Sequence, residues 1–103
     1  MKGIRSPLFL ADIEASADYL YTEAGELVLD QWSKSLKATI RLIEKFPELG
    51  RLRSDIPFEG IRSLNLKRFP NWLVFYRADK KRVEFLRIKH GMMYLPGLFE
   101  TAG

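Results

Sequence analysis

Few side chains in this 103-residue chain can do covalent chemistry. There is no cysteine, which excludes thiol nucleophiles, zinc–thiolate sites and a disulfide framework. The only histidine is His90, with Arg87, Lys89 and Tyr94 close to it in sequence. One histidine without clustered carboxylates argues against a metal site, and no serine is placed to pair with it as a nucleophile. No cofactor is implied. The chemistry left open is RNA cleavage by attack of a 2′-hydroxyl, which needs a base, an acid and cations around the phosphate. Arg62, Arg87, His90 and Tyr94 could supply these, with Arg77 and Lys89 adding charge. The alternative is that the arginines and lysines decorate a sheet and His90 orders the end of a strand. Nothing in the spacing fixes an acid–base pair, and on the residues alone the structural role is favoured.

The aromatic residues pose the same choice. Trp32, Trp72, Phe75, Tyr76 and Phe85 could act as base-stacking platforms. Trp32 lies on a helical apolar stripe and belongs to a core. Trp72 and Phe85 are expected to be more open, and a protein-binding groove explains them as well as RNA does.

The elements that must position these residues divide the chain in two. Ser6-Pro7 is a helix start, a capping serine followed by proline where its missing N–H costs nothing. Leu10, Ile13, Ala17, Leu20 and Tyr21 then step by three and four, with Asp12, Glu14 and Asp18 off that stripe or at its edge. Gly25 ends the first helix. Leu29, Trp32, Leu36, Ile40 and Ile43, widened by Val28 and Leu42, mark a second helix that Pro47 stops. A helical hairpin over about 7–46 follows, and then a loop over 47–60 with a short edge strand around Leu52.

Beyond residue 60 the period becomes two. Ile61–Phe69 alternates, Pro70-Asn71 turns the chain, and Trp72–Tyr76 is apolar on both faces, as a central strand is. Asp79-Lys80-Lys81 forms a hairpin turn. Val83–His90 is the last strand, with Leu86, Ile88 and His90 on one face and Phe85, Arg87 and Lys89 on the other. An amphipathic tail, Tyr94–Phe99, follows. The expected fold is α+β: an N-terminal two-helix hairpin packed on a C-terminal antiparallel sheet of three to four strands, with residues 1–103 as one domain. Apolar residues on both faces of the middle strand call for a second cover, the tail or a partner.

Charge follows the same division. Residues 1–50 carry 6 Lys/Arg and 8 Asp/Glu, a net of −2, while residues 51–103 carry 11 and 5, a net of +6. The second half therefore presents a positive field suited to nucleic acid or to an acidic protein segment. No secretory signal and no run of about 20 apolar residues is present, so a cytoplasmic location with no membrane association is expected.

The chain resembles the RelE/ParE toxin superfamily over nearly its whole length. The residues that carry the resemblance are Asp12-Ile13 with Tyr19-Leu20, Phe46-Pro47-Glu48-Leu49-Gly50, Gly60-Ile61-Arg62-Ser63-Leu64, Val74-Phe75-Tyr76-Arg77, and Arg87-Ile88-Lys89-His90-Gly91-Met92. The resemblance implies a toxin of a type II toxin–antitoxin pair, held inactive by a small acidic antitoxin whose C-terminal segment folds across it. The wording at Pro47–Gly50 and His90–Met92 is closer to the ParE-like branch, which poisons DNA gyrase and has no catalytic residue. In the RelE-like branch, which cuts mRNA on the ribosome, Arg62, Arg87, His90 and Tyr94 would be catalytic. A binding module that has kept the fold and lost toxicity is the third reading. The residues implied for partner contact are Arg62, Trp72, Arg77, Phe85, Arg87, Lys89, His90, Met93, Tyr94 and Phe99. Met93 and Tyr94 depart from the basic and then acidic residues usual in the ParE-like branch, where the C-terminal segment is implicated in toxicity. A homodimer and an antitoxin-bound heterotetramer are both compatible with the sequence.

Overall fold

Residues 2–91 are described by the computed structural model. They form strand β1 (Lys2–Arg5), helices α1 (Pro7–Ala24) and α2 (Glu26–Lys45), and strands β2 (Arg51–Leu52), β3 (Ile61–Leu66), β4 (Phe69–Ala78) and β5 (Arg82–His90). The Ser6 hydroxyl accepts the Phe9 N–H at 3.1 Å and donates to the Leu86 carbonyl at 3.0 Å. One cap thus starts α1 and ties it to the sheet. Gly25, at φ 90°, takes the left-handed conformation that separates the helices, and its N–H closes onto the Leu20 and Tyr21 carbonyls.

The sheet has five strands in the order β1-β5-β4-β3-β2. β1 runs parallel to β5, and the other pairings are antiparallel. The expected α+β layering stands, but the sheet is mixed and one strand larger than the three to four antiparallel strands anticipated. The addition is the N-terminal Lys2–Arg5, too short and too charged to show an alternating pattern. Its register, Lys2 opposite Arg82 through Arg5 opposite Phe85, is extended by a bond from the Ser6 N–H to the Phe85 carbonyl at 3.0 Å.

Two irregularities move residues from their expected places. The β3–β4 turn falls at Lys67-Arg68 rather than Pro70-Asn71: Leu66 pairs with Phe69, and Arg68 adopts φ 71°. The register then jumps to Asn65 opposite Leu73, so Pro70 sits where no ladder N–H is needed. In β5, Phe85 pairs with Tyr76 and Arg87 with Phe75, which leaves Leu86 as an extra residue. The alternation changes phase there. Phe85 and Ile88 therefore share the helix-side core, and Leu86 packs on the opposite face.

The main core places Trp32, Leu36, Ile40 and Ile43 of α2 and Phe9 and Leu20 of α1 against Leu66, Trp72, Val74, Tyr76, Val83, Phe85 and Ile88. The α2 face is the one its periodicity predicts, except that Leu42, expected to widen it, is exposed. The α1 face matches only in part: Leu20 is buried, Ile13 packs on the core and Ala17 is half-buried, but Phe9, Asp12 and Ser16 are buried as well, while Leu10 and Tyr21 are exposed. α1 carries apolar residues on every side, so spacing does not select its inner face; the Ser6 cap and the Asp12 contacts described below do.

Part of the second sheet face is covered by the 53–60 loop. Ile56, from the 53–60 loop, packs with Ile61 and Phe75. Arg53, buried beside them, donates from Nε and Nη2 to the two Asp55 carboxylate oxygens at 2.8 and 2.6 Å and from Nη1 to the Ser63 hydroxyl at 3.0 Å. The hydrogen bonds from Arg53 hold the Asp55 carboxyl at about 2 instead of its ordinary 3.8. A carboxyl lowered on folding contributes stability above its unfolded value and loses it as pH falls through the folded one. Urea midpoints are therefore expected to fall as pH drops from about 4 toward 2, and Asp55→Asn should flatten this part of the pH profile; an unchanged slope would count against the clamp.

Candidate functional site

Asp12 is the residue around which two of the candidate cations, Arg87 and Lys89, gather. It projects from α1 and is only 5% exposed. Oδ2 accepts the Arg87 Nε–H at 2.7 Å and the Ile88 backbone N–H at 3.1 Å. Oδ1 accepts from Arg87 Nη2 at 3.1 Å and from Lys89 Nζ at 3.0 Å. The need for it is set by the sheet. β1 pairs only with residues 82–85, so beyond Phe85 the outer flank of β5 has no strand neighbour and faces α1. A buried amide without an acceptor is costly, and the Asp12 carboxylate supplies one. By its spacing Asp12 stands off the apolar stripe or at its edge, yet it is buried. Its signal was faint, a shared helical face with Phe9, Ser16 and Leu20.

Arg62 and Tyr76 clamp the opposite end of the sheet. Arg62 Nη1 donates to the Gly50 carbonyl at 2.9 Å and the Glu48 carbonyl at 3.3 Å. The buried Tyr76 hydroxyl accepts the Gly50 N–H at 2.7 Å and donates to the Pro47 carbonyl at 2.8 Å. Burial raises the Tyr76 phenol above its ordinary value, outweighing the Gly50 N–H and the Arg62 charge, so it remains a neutral donor at physiological pH. Arg77 pairs with Glu84 at 3.1 Å on the surface.

These positions do not converge. Arg62 lies opposite Tyr76 and His90 opposite Trp72, two strands and four residues apart. Strand geometry puts their backbones roughly 16 Å apart, and the Arg62 guanidinium is turned to the Glu48 and Gly50 carbonyls, so the two are not directed at one phosphate. Among the described residues no group of three or more acidic or histidine side chains could hold a metal ion, and no helix is long and apolar enough to cross a membrane.

What does converge is the end of β5. Trp72, Lys89 and His90 line a cleft of about 380 Å³ with Ala15, Ser16 and Tyr19 of α1. Trp72 stands edge-on to Trp32 at 5.4 Å between ring centres, and His90 edge-on to Trp72 at 5.5 Å. The indole is therefore wedged between core and surface, as aromatic pairs prefer. Two expectations are corrected here. Phe85 is 0% exposed, sealed under the helices beside Phe9 and Tyr76, and Trp72 is only 9% exposed. Neither aromatic is open, because the Leu86 bulge turns Phe85 inward and α1 closes over Trp72. Met93, Tyr94 and Phe99 lie outside the described residues.

Residues 4–94 match the family model described as the ParE toxin of the type II toxin–antitoxin system, parDE. A chain from a solved structure of a chromosomal ParDE TA system from P. aeruginosa is 22% identical. It aligns over 87% of this chain and 95% of its own length with a TM-score of 0.72, a likeness of fold. No curated protein matches the chain significantly.

Removing Asp12 leaves Arg87, Lys89 and the Ile88 N–H without their shared acceptor. Asp12→Ala is expected to destabilise the protein by about 3–5 kcal/mol in urea unfolding; a loss below ~1 kcal/mol would mean that water replaces the carboxylate. Tyr76→Phe strands the Gly50 N–H and the Pro47 carbonyl and should cost about 1–3 kcal/mol, read the same way.

Proposed function

This chain belongs to the ParE toxin family of type II toxin–antitoxin systems, and from that premise we propose that it is a cytoplasmic toxin that inhibits DNA gyrase by binding and is neutralised by a small acidic antitoxin. Residues 1–103 act in this reading as one toxin domain. The observation that carries it is the commitment of the basic residues to the fold. Arg87 and Lys89 bind Asp12, Arg62 holds loop carbonyls, and Arg77 pairs with Glu84. A ribonuclease needs its cations directed at one phosphate, with an acid and a base beside them. A protein that poisons its target by binding needs only a fixed surface.

The surface proposed for the gyrase contact is the end of β5, where Lys89 and His90 flank the cleft beside Tyr19. Met93, Tyr94 and Phe99 follow in sequence and stay in the proposed set of partner-contact residues. Arg77 is the candidate of the set furthest along the sheet from it.

The test adds the purified protein to gyrase with relaxed plasmid and ATP. The expected result is loss of supercoiling with accumulation of trapped cleavage complexes, reversed by the antitoxin. A Tyr19→Ala/His90→Ala variant should weaken inhibition at least ~10-fold, the loss of about 1.4 kcal/mol of binding. Unimpaired supercoiling at excess protein, with cuts appearing in mRNA on translating ribosomes instead, would reverse the assignment.

A further inference from the structure

Phe46 and Leu49 are explained neither by the fold nor by the contact proposed at the end of β5. They are 52% and 49% exposed and lie together in a cleft of about 760 Å³ between the end of α2 and the β4–β5 turn. The backbone beneath them is held from below, with Pro47, Glu48 and Gly50 bonded to Tyr76 and Arg62. Gly50 is required by that clamp, since a Cβ there would run into the Tyr76 ring. The clamp gives no reason for large apolar side chains at positions 46 and 49. Leu42, one helical turn before Phe46 and itself exposed, extends the ledge. Folding gains little from apolar side chains left in water, while a rigid loop that presents them has already met the ordering cost of a contact.

The charge around the ledge points to the occupant. Lys45 and Lys80 line the cleft and form no ion pair among the described residues, the Lys45 ammonium lying over the Phe46 ring at 5.6 Å; Arg62 lines it too, with its Nη1 held by the Glu48 and Gly50 carbonyls. Two acids line it as well. Asp79 turns its carboxylate to the Lys81 and Arg82 N–H groups at 2.8 and 3.0 Å, leaving Glu48 as the acid not engaged in this way. An apolar floor under a positive rim is complementary to an acidic amphipathic segment with apolar side chains along one face.

We infer that this cleft is where the antitoxin docks, its apolar side chains on Phe46 and Leu49 and its carboxylates on Lys45 and Lys80. The inference rests on the reading of the chain as an antitoxin-held toxin and adds the surface. It also separates two functions in space. The cleft lies at the β4–β5 turn and His90 at the far end of β5, eight residues from Arg82, or about 27 Å along the strand. Changes in the ledge should therefore weaken the antitoxin without touching gyrase inhibition.

The experiment titrates the purified 103-residue chain by calorimetry with its antitoxin, taken as the product of a short acidic reading frame next to its gene. Phe46→Ser/Leu49→Ser and, separately, Lys45→Glu/Lys80→Glu are compared with the unaltered protein, and gyrase supercoiling is read for all three. Both variants change exposed side chains, so retained gyrase inhibition also reports that they fold. The expected result is a Kd raised at least ~30-fold by the apolar pair and ~10-fold by the charge pair, with inhibition of supercoiling unchanged. Wild-type affinity in the Phe46→Ser/Leu49→Ser variant would overturn the docking site and leave the toxin reading in place. An unaltered protein that neither binds the antitoxin nor inhibits gyrase would overturn both.

Discussion

The outer flank of β5 past Phe85 is the constraint that organises the molecule. A strand with no neighbour beyond its midpoint must satisfy its amides from elsewhere, and a helix lying over it has no backbone groups to offer. Asp12 meets the requirement with one carboxylate. Because that carboxylate is buried, it must be compensated, and Arg87 and Lys89 are drawn into its service. The inner face of α1, the course of β5 and the occupation of two basic side chains all follow from this contact. So does the position of His90, which emerges beside Trp72 once the strand is fixed.

A second clamp at the other end of the sheet works on the same principle. Arg62 donates to a loop that has no strand partner over Pro47–Gly50, and the Tyr76 hydroxyl both donates to it and accepts from it. Between the two clamps, most of the residues that looked reactive in the sequence become structural. What remains for function is surface: a cleft beside His90 and a rigid apolar ledge at Phe46 and Leu49. This division suits a toxin that works through contacts with other proteins.

The parts legible in the sequence are those set by neighbours in the chain. Ser6-Pro7, Gly25, the α2 stripe and the Asp79 turn all carry local signals, and each is found where those signals put it. The parts that were not legible depend on distant partners. Lys2–Arg5 becomes a strand only because β5 offers an edge, and Leu86 slips out of register only because β4 and β5 pair on both sides of it. The burial of Asp12 carries no local signal because its partners lie about 75 residues away. The candidate site suffered most from this. The types of Arg62, Arg87 and Lys89 were plain, but what they bind is decided by topology, and family resemblance could place them without revealing their partners.

Arg87 is spent on Asp12 and so is not held ready for chemistry. A double-mutant cycle in urea unfolding measures this directly, using Asp12→Asn, Arg87→Met and the double variant. The account predicts a coupling energy of about 2 kcal/mol or more. A coupling near zero, with the two single losses adding, would contradict it and return Arg87 to the pool of side chains available for function.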